Sequence, residues 1–238
     1  MDKINELQTL IDKSNNIVFF GGAGVSTESG IKDFRGKDGL YKEKYYNYSP
    51  EYMLSINCLI NEPTLFFDYY KKNMNTLNIK PNITHKYLSK LEKKGKLKAI
   101  VTQNIDGLHQ KAGSKNVLEI HGTTYKNYCI KCKKEYPSDY IFKSKNIPKC
   151  DCGGIVRPDV TLYGESLPDA FNDSISYIMK ADLLIVAGTS LTVQPASGLI
   201  DFYKGKHLII INKTPTLYDD YAEIVINESL GEVFSKLK

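Results

Sequence analysis

A doubly wound α/β fold, its parallel sheet interrupted by a smaller lobe, follows from three observations on this 238-residue chain. Five short apolar runs, Ile17–Phe20, Lys98–Val101, Val117–Ile120, Leu183–Ala187 and Leu208–Ile211, are rich in β-branched residues, the pattern of strands buried on both faces. Helical patterns often separate them, as parallel strands require. Two stretches, 37–80 and 124–155, break that rhythm; the first is tyrosine-rich and helical in places, and the second carries four cysteines among lysines.

Taken in order, Ile4, Leu7, Leu10 and Ile11 recur at helical spacing and run into Asn15-Asn16, so a first helix feeds the strand Ile17–Phe20. Thr84–Lys94 reads as a helix with Thr84 as N-cap, a basic last turn and Gly95 as its stop. Pro168 and Pro195 stand where first turns would begin, ahead of helices over 170–180 and 196–203. These helices are expected to cover the sheet.

Composition narrows the function. A net charge of +5, from 32 basic and 27 acidic residues, is spread over many lysines rather than gathered in a basic tract, so no specific nucleic-acid partner is expected. The first residues mix charges with apolar side chains and lack a signal-peptide core, and no apolar run reaches the 18 or so residues of a membrane span. The expectation is a soluble cytoplasmic protein with no membrane partner. In that compartment the cysteines favour metal over disulfides.

Three constellations carry chemistry. The first strand ends in Gly21-Gly-Ala-Gly24, where small residues let backbone approach a pyrophosphate. Thr27 occupies the place of the third glycine of the dinucleotide fingerprint, and no acidic residue ends a second strand about 20 residues later, which disfavours ordinary dehydrogenases. Past the strand ending at Val101, Gln103, Asn104 and Asp106 offer the donor and acceptor groups that a carboxamide such as nicotinamide needs. His121, after the next strand and before Gly122, is expected in the same crevice as a general base. Of the other histidines, His85 reads as a helix-surface or packing residue, His207 begins a strand, and His109 stays open.

Cys129-x-x-Cys132 and Cys150-x-Cys152 present four thiolates on two tight turns, which satisfies tetrahedral zinc and leaves no open position for water. One structural zinc is expected, with Gly153-Gly154 relieving the tighter second turn. Cys58 reads as a small buried hydrophobe.

These residues, with Gly22–Ser26, Gly30–Arg35, Thr102–His109, Pro158–Glu165, Gly188–Leu191 and Ile211-Asn212, stand in an order that resembles the sirtuin family of NAD-dependent protein deacylases over nearly the whole chain. The resemblance implies a Rossmann-like NAD-binding domain made of 1–36, 81–123 and 156–238. The helical insertion 37–80 and a zinc-ribbon module, 124–155, would form the small lobe. By the same resemblance, Ala23, Gly24, Thr27, Ile31, Asp33, Phe34, Arg35, Gln103, Gly188, Thr189, Ser190 and Asn212 would hold NAD, with Asn104, Ile105 and Asp106 forming the nicotinamide pocket. His121 and Asn104 would be catalytic. In the family the acyl oxygen attacks the ribose C1′ and expels nicotinamide, and the histidine deprotonates a ribose hydroxyl on the way to O-acyl-ADP-ribose.

Val160, Tyr163, Gly164 and Glu165 on one side, with Val193 and Gln194 on the other, match the segments that receive an acyl-lysine protein as an extended strand. Lys32 stands where the family has proline, and Tyr163 where phenylalanine is commoner. Tyr69-x-x-Lys72 occupies the place of a Tyr-x-x-Arg pair that marks succinyl and malonyl preference; lysine lacks arginine's bidentate fork, so acetyl is expected to be preferred. Two other readings remain open at this point: an NAD oxidoreductase, which NADH absorbance would reveal, and a zinc-ribbon adaptor for nucleic acid, which salt-sensitive DNA binding would reveal.

Overall fold

The computed structural model describes residues 2–34, 36, 39–42, 45 and 48–238. Helix α1 (Lys3–Lys13) is capped by the Asp2 carboxylate and buries Ile4, Leu7 and Ile11. It leads into β1 (Ile17–Gly21), after which the chain makes three short helices, α2 (Pro50–Met53), α3 (Ile56–Asn61) and α4 (Pro63–Asn73). Next come α5 (Ile83–Lys93), β2 (Leu97–Thr102), α6 (Leu108–Lys111) and β3 (Val117–Glu119). A second sheet region holds β4 (Gly122–Cys129), β5 (Glu135–Tyr136), α7 (Asp139–Lys143) and β6 (Val156–Val160). The chain closes with α8 (Asp169–Lys180), β7 (Leu183–Ala187), a 3₁₀ helix over Ala196–Phe202, β8 (His207–Ile211), β9 (Ile224–Ile226) and α9 (Leu230–Lys236). Among the described residues, no helix is long and apolar enough to cross a membrane.

Six strands form one parallel sheet in the order β3-β2-β1-β7-β8-β9. The path runs outward from β1 to one edge, returns to β7 beside β1, and runs outward to the other edge, the doubly wound order of dinucleotide-binding sheets. Strand residues alternate between two cores. Ile17 and Phe19, Leu183 and Ile185, and Ile209 and Ile211 face α1, α5 and α9 on one side. Val18 and Phe20, Leu184 and Val186, and Leu208 and Ile210 face α8 and the 3₁₀ helix on the other. Burial on both faces is why these strands read as unbroken apolar runs.

The smaller sheet is antiparallel, in the order β5-β4-β6. Its neighbour core joins Leu40, Met53, Phe66, Phe67 and Tyr70 of the helical insertion to Ile141, Val160 and Leu162. Residues 156–160, expected with the larger domain, therefore pair with β4 as part of the smaller sheet. A strand bearing Arg157-Pro158 offers no apolar alternation to read.

Two further expectations need correction. Helix α5 is capped by Asn82, whose Oδ1 accepts from the Thr84 and His85 amides at 3.0 and 3.4 Å; Thr84 lies inside the helix. The segment after Pro195 is a 3₁₀ rather than an α-helix, and Pro168 and Pro195 sit at the cap positions. The strand β9 and the helix α9, unread in the sequence, complete one sheet edge and one face.

His85 is wholly buried, not on the helix surface, and its ring lies 4.7 Å from that of His109, also buried. Burial pushes His85 down to about 4 and His109 well below the usual range, so both are neutral in the folded chain. An unfolded histidine titrates near 6.5. Stability from this pair is therefore complete above pH 6.5 and is lost as pH falls toward 4, with His85 alone accounting for about 2 kcal/mol at pH 5. Burial raises Asp106 and Glu119, which contribute the opposite slope. Urea midpoints should fall between pH 7.5 and 5, and the fall should shrink in His85→Gln; equal slopes in the two proteins would show that His85 is not its source.

Candidate active site

The crevice forms at the carboxyl ends of β1, β2 and β7, where the sheet's path reverses. Here the Gly22–Gly24 turn meets the loop after β7 backbone to backbone, with the Gly24 amide donating to the Gly188 carbonyl at 2.8 Å. A Cβ on Gly24 would lie 2.7 Å from the Gly188 Cα, so glycine is required there by the approach of the two loops themselves. Gln103, one residue past β2, spans the reversal by donating from Nε2 to Thr189 Oγ1 at 3.1 Å.

Asn104 and Asp106 are brought together by a residue the sequence reading left unassigned. The Ser26 hydroxyl is 1% exposed, donates to Asp106 Oδ2 at 2.6 Å and accepts from Asn104 Nδ2 at 3.1 Å. Thr102 Oγ1 accepts the Asn104 amide, and Asp106 Oδ1 accepts the Leu108 amide. Burial raises the Asp106 carboxyl, opposed by the Ser26 and Leu108 hydrogen bonds and by Lys111. Asp106 thus orients the loop from within, while half-buried Asn104 stands nearer solvent. Ser26 lies inside the Gly22–Ser26 motif and Thr102 beside Gln103, but only the folded chain shows their partners. Asn82 adds a third, donating to the Val25 carbonyl at 2.7 Å.

His121 joins the two sheets, two residues past the end of β3 and immediately before β4. Its Nδ1 lies 2.9 Å from the Gln103 carbonyl oxygen, which can only accept, so the proton sits on Nδ1 and Nε2 carries the lone pair. Burial lowers His121 and outweighs the opposing hydrogen bond to Gln103. A neutral imidazole with a basic Nε2 results.

The remaining expected residues that the structure describes follow β1, β2, β7 and β8 in the chain. Thr27 Oγ1 donates to the Gly24 carbonyl, and the Ile31 amide to that of Ser26. The Asp33 carboxylate accepts the Gly36 amide, so it shapes its own loop, and Phe34 packs edge-on against Tyr41. Ala23 is half-buried; Ser190 and Asn212 lie past β7 and β8, bonded to Thr192 and Thr214. Ile105 packs on the small-lobe core. Arg35 lies outside the described residues. Amide, hydroxyl and imidazole groups converging on a backbone turn at the sheet's reversal fit a dinucleotide carrying a carboxamide.

On the small-lobe side, Val160 is buried, Tyr163 is 40% exposed and Gly164 has φ 92°. Val193 and Gln194 follow the β7 loop, half-buried and exposed. The Glu165 carboxylate, expected at the peptide, is taken up by Arg157. Tyr69 is buried against Tyr45, and Lys72 Nζ sits 5.3 Å over the Tyr45 ring.

The four cysteine Sγ atoms all lie within 4.8 Å of one another, with Cys129–Cys152 and Cys132–Cys150 at 3.5 Å. A disulfide needs about 2.05 Å, whereas four thiolates around one zinc at about 2.3 Å stand nearly 4 Å apart. Both glycines after Cys152 are needed, because Gly153 has φ 81° and a Cβ on Gly154 would meet Cys129 Sγ at 2.6 Å. Cys58 is buried and free, as expected.

The model of the Sir2 family matches residues 22–195. An NAD-dependent protein deacetylase of Clostridium acetobutylicum is 55% identical over 237 residues, covering 98% of this chain and 97% of the relative. One from Clostridium tetani is 56% identical, covering 98% and 96%. A solved Sir2 variant with deacetylated p53 peptide and 3′-O-acetyl-ADP-ribose superposes with TM-score 0.91 at 38% identity, covering 98% of this chain and 96% of that one. Sir2 with a p53 peptide and NAD⁺ superposes at 0.88, with the same identity and coverage. The chain belongs to the Sir2 family.

Elemental analysis of freshly purified protein should return one zinc per chain. Cys132→Ser should lose it and unfold at lower temperature before intrinsic activity suffers; zinc-free protein of full stability would remove the metal from the fold.

Proposed function

We propose that the chain is an NAD-dependent protein-lysine deacetylase that transfers the acetyl group of a lysine side chain to ADP-ribose, releasing nicotinamide and O-acetyl-ADP-ribose. The observation that carries this is the neutral His121, its Nδ1 held by the carbonyl of Gln103, the residue before Asn104, so that Nε2 carries the lone pair. Bound NAD supplies an electrophilic ribose C1′ with nicotinamide as leaving group. Asn104 presents its amide, aligned by Ser26 and Thr102, to that end of the cofactor. Ile105 and Asp106 complete the nicotinamide pocket. Nε2 of His121 accepts the ribose hydroxyl proton, a role that needs the imidazole neutral at working pH. The Gly22–Gly24 turn, Ala23, Thr27, Ile31, Asp33, Phe34, Arg35, Gln103, Gly188, Thr189, Ser190 and Asn212 hold the rest of the dinucleotide.

The acyl-lysine protein binds as an extended strand between 160–165 and Val193–Gln194, gaining affinity from backbone hydrogen bonds. Residues 1–36, 81–123 and 161–238 form the cofactor domain, the two insertions with β6 the small lobe, and the protein works in the cytoplasm. Zinc holds the small lobe and stays outside the chemistry, since four cysteines leave no position for substrate.

Mass spectrometry of acyl-lysine peptides incubated with and without NAD tests the reading. Deacetylation should require NAD and release nicotinamide, and His121→Ala should slow it about 10²–10⁴-fold; a variant keeping more than about a hundredth of the rate would remove His121 as base.

Acetyl-lysine should be favoured over succinyl-lysine, because Lys72 is a point charge engaged over Tyr45. A succinyl preference abolished by Lys72→Met would reverse that assignment.

A further inference from the structure

Arg157 is among the few charged residues the fold buries, at 4% exposed, and nothing in the proposed chemistry uses it. Its guanidinium grips Glu165 with both nitrogens, Nη1 to Oε1 at 2.5 Å and Nη2 to Oε2 at 2.8 Å. Nη2 also donates to the Val160 carbonyl at 2.8 Å and Nε to that of Pro158 at 3.1 Å, and the group lies 5.7 Å over the Tyr128 ring. Glu165 Oε2 in turn accepts the Leu162 amide at 2.9 Å. One ion pair thus holds the carbonyl before Thr161 and the amide after it.

Thr161 itself donates its amide to the His121 carbonyl at 2.9 Å. Beyond it, Tyr163 exchanges backbone hydrogen bonds with Leu54 and Ile56 at 3.0 Å, which anchors the outer end of the segment on the helical insertion. The segment is therefore fixed at both ends, and its middle touches the backbone of His121. Burial pushes Glu165 up, yet the Arg157 hydrogen bonds and the Leu162 amide outweigh it and hold the carboxyl below its usual range. With Arg157 buried and Glu165 only half-buried, the pair is a weak argument for stability, whereas its hydrogen bonds to the Pro158 and Val160 carbonyls and the Leu162 amide fix backbone geometry.

We infer that Arg157, through Glu165, is a positioning residue: it sets the 160–165 edge to receive the acyl-lysine strand and braces His121 through Thr161. Glu165 serves substrate by shaping this edge rather than by touching the peptide. The inference rests on the deacetylase reading above.

Steady-state deacetylation of one acetyl-lysine peptide by wild type, Glu165→Gln, Arg157→Lys and the double variant tests it, with melting temperature recorded for each. Glu165→Gln keeps the volume but loses the charge, and should raise the peptide KM about tenfold while leaving the KM for NAD within twofold. Arg157→Lys keeps the charge but cannot span Glu165, Val160 and Pro158 together, and should lower kcat as well. The double variant should be no worse than the poorer single one. Anisotropy of a fluorescein-labelled acetyl-lysine peptide without NAD should show the same tenfold weakening in Glu165→Gln, which keeps the proposal testable if the Arg157 variants do not fold. Unchanged peptide KM and affinity, or an equal rise in the KM for NAD, would overturn it. Wild type that releases no nicotinamide would instead overturn the deacetylase reading.

Discussion

Two loops meet backbone to backbone at the middle of the large sheet, and the site depends on that meeting. The turn after β1 and the turn after β7 approach until Gly24 donates to Gly188, and no side chain fits between them. Because the chain departs in opposite directions on either side, the ends of β2 and β8 flank an opening rather than a covered surface. Gln103, Thr189 and Asn212 stand at that opening because each follows a strand in register with β1 or β7. A bulkier residue at Gly24 would part the loops before it could disturb any ligand.

The same crevice shifts two titratable groups by burial, the Asp106 carboxyl up and the His121 imidazole down. Asp106 is enclosed and answered by a hydroxyl and an amide, while His121 is desolvated and tied to a carbonyl that selects its tautomer. Ser26 is the pivot, because a single hydroxyl donates to Asp106 and accepts from Asn104, so carboxylate and amide cannot reorient independently. Burial supplies the electrostatics and hydrogen bonding supplies the direction.

Much of this was legible in the sequence, for physical reasons that also mark where legibility ended. Ile17–Phe20 and Leu183–Ala187 announce themselves because both faces are buried; the order of their glycine turns and polar ends then implies a shared crevice. Four cysteines on two tight turns identify their own chemistry. What escaped were interactions between distant positions. Asn82 and Thr84 are both cap residue types two positions apart, and only the folded chain, with Asn82 also bonded to Val25, decides for Asn82. For His85 the sequence leaves surface and packing roles open, because its burial against His109 is set by helix packing. Val156–Val160 was hidden by a charge and a proline, and its charge is spent on a glutamate eight residues on.

The zinc module's influence on the site is mechanical, and the reason lies in one strand. β4 begins at Gly122, next to His121, and ends at Cys129, one of the four clustered cysteines that fit a zinc ion. The residues opposite its two ends, Val156 and Val160, are four extended steps apart, so roughly 13 Å separates the ends, too far for the metal to contact a group in the crevice. Yet β4 pairs with β6 at both ends, Cys129–Asn127 opposite Val156–Pro158 and Thr123-Gly122 opposite Asp159-Val160, with a register shift over 124–126 between them. At the crevice end the fit is close: a Cβ on Gly122 would lie 2.2 Å from the Asp159 carbonyl oxygen. The thiolates fix one end of this ribbon and the β3–His121 junction fixes the other. The two paired stretches, joined across the register shift, tie the cysteine end of this ribbon to the edge that Arg157 and Glu165 shape.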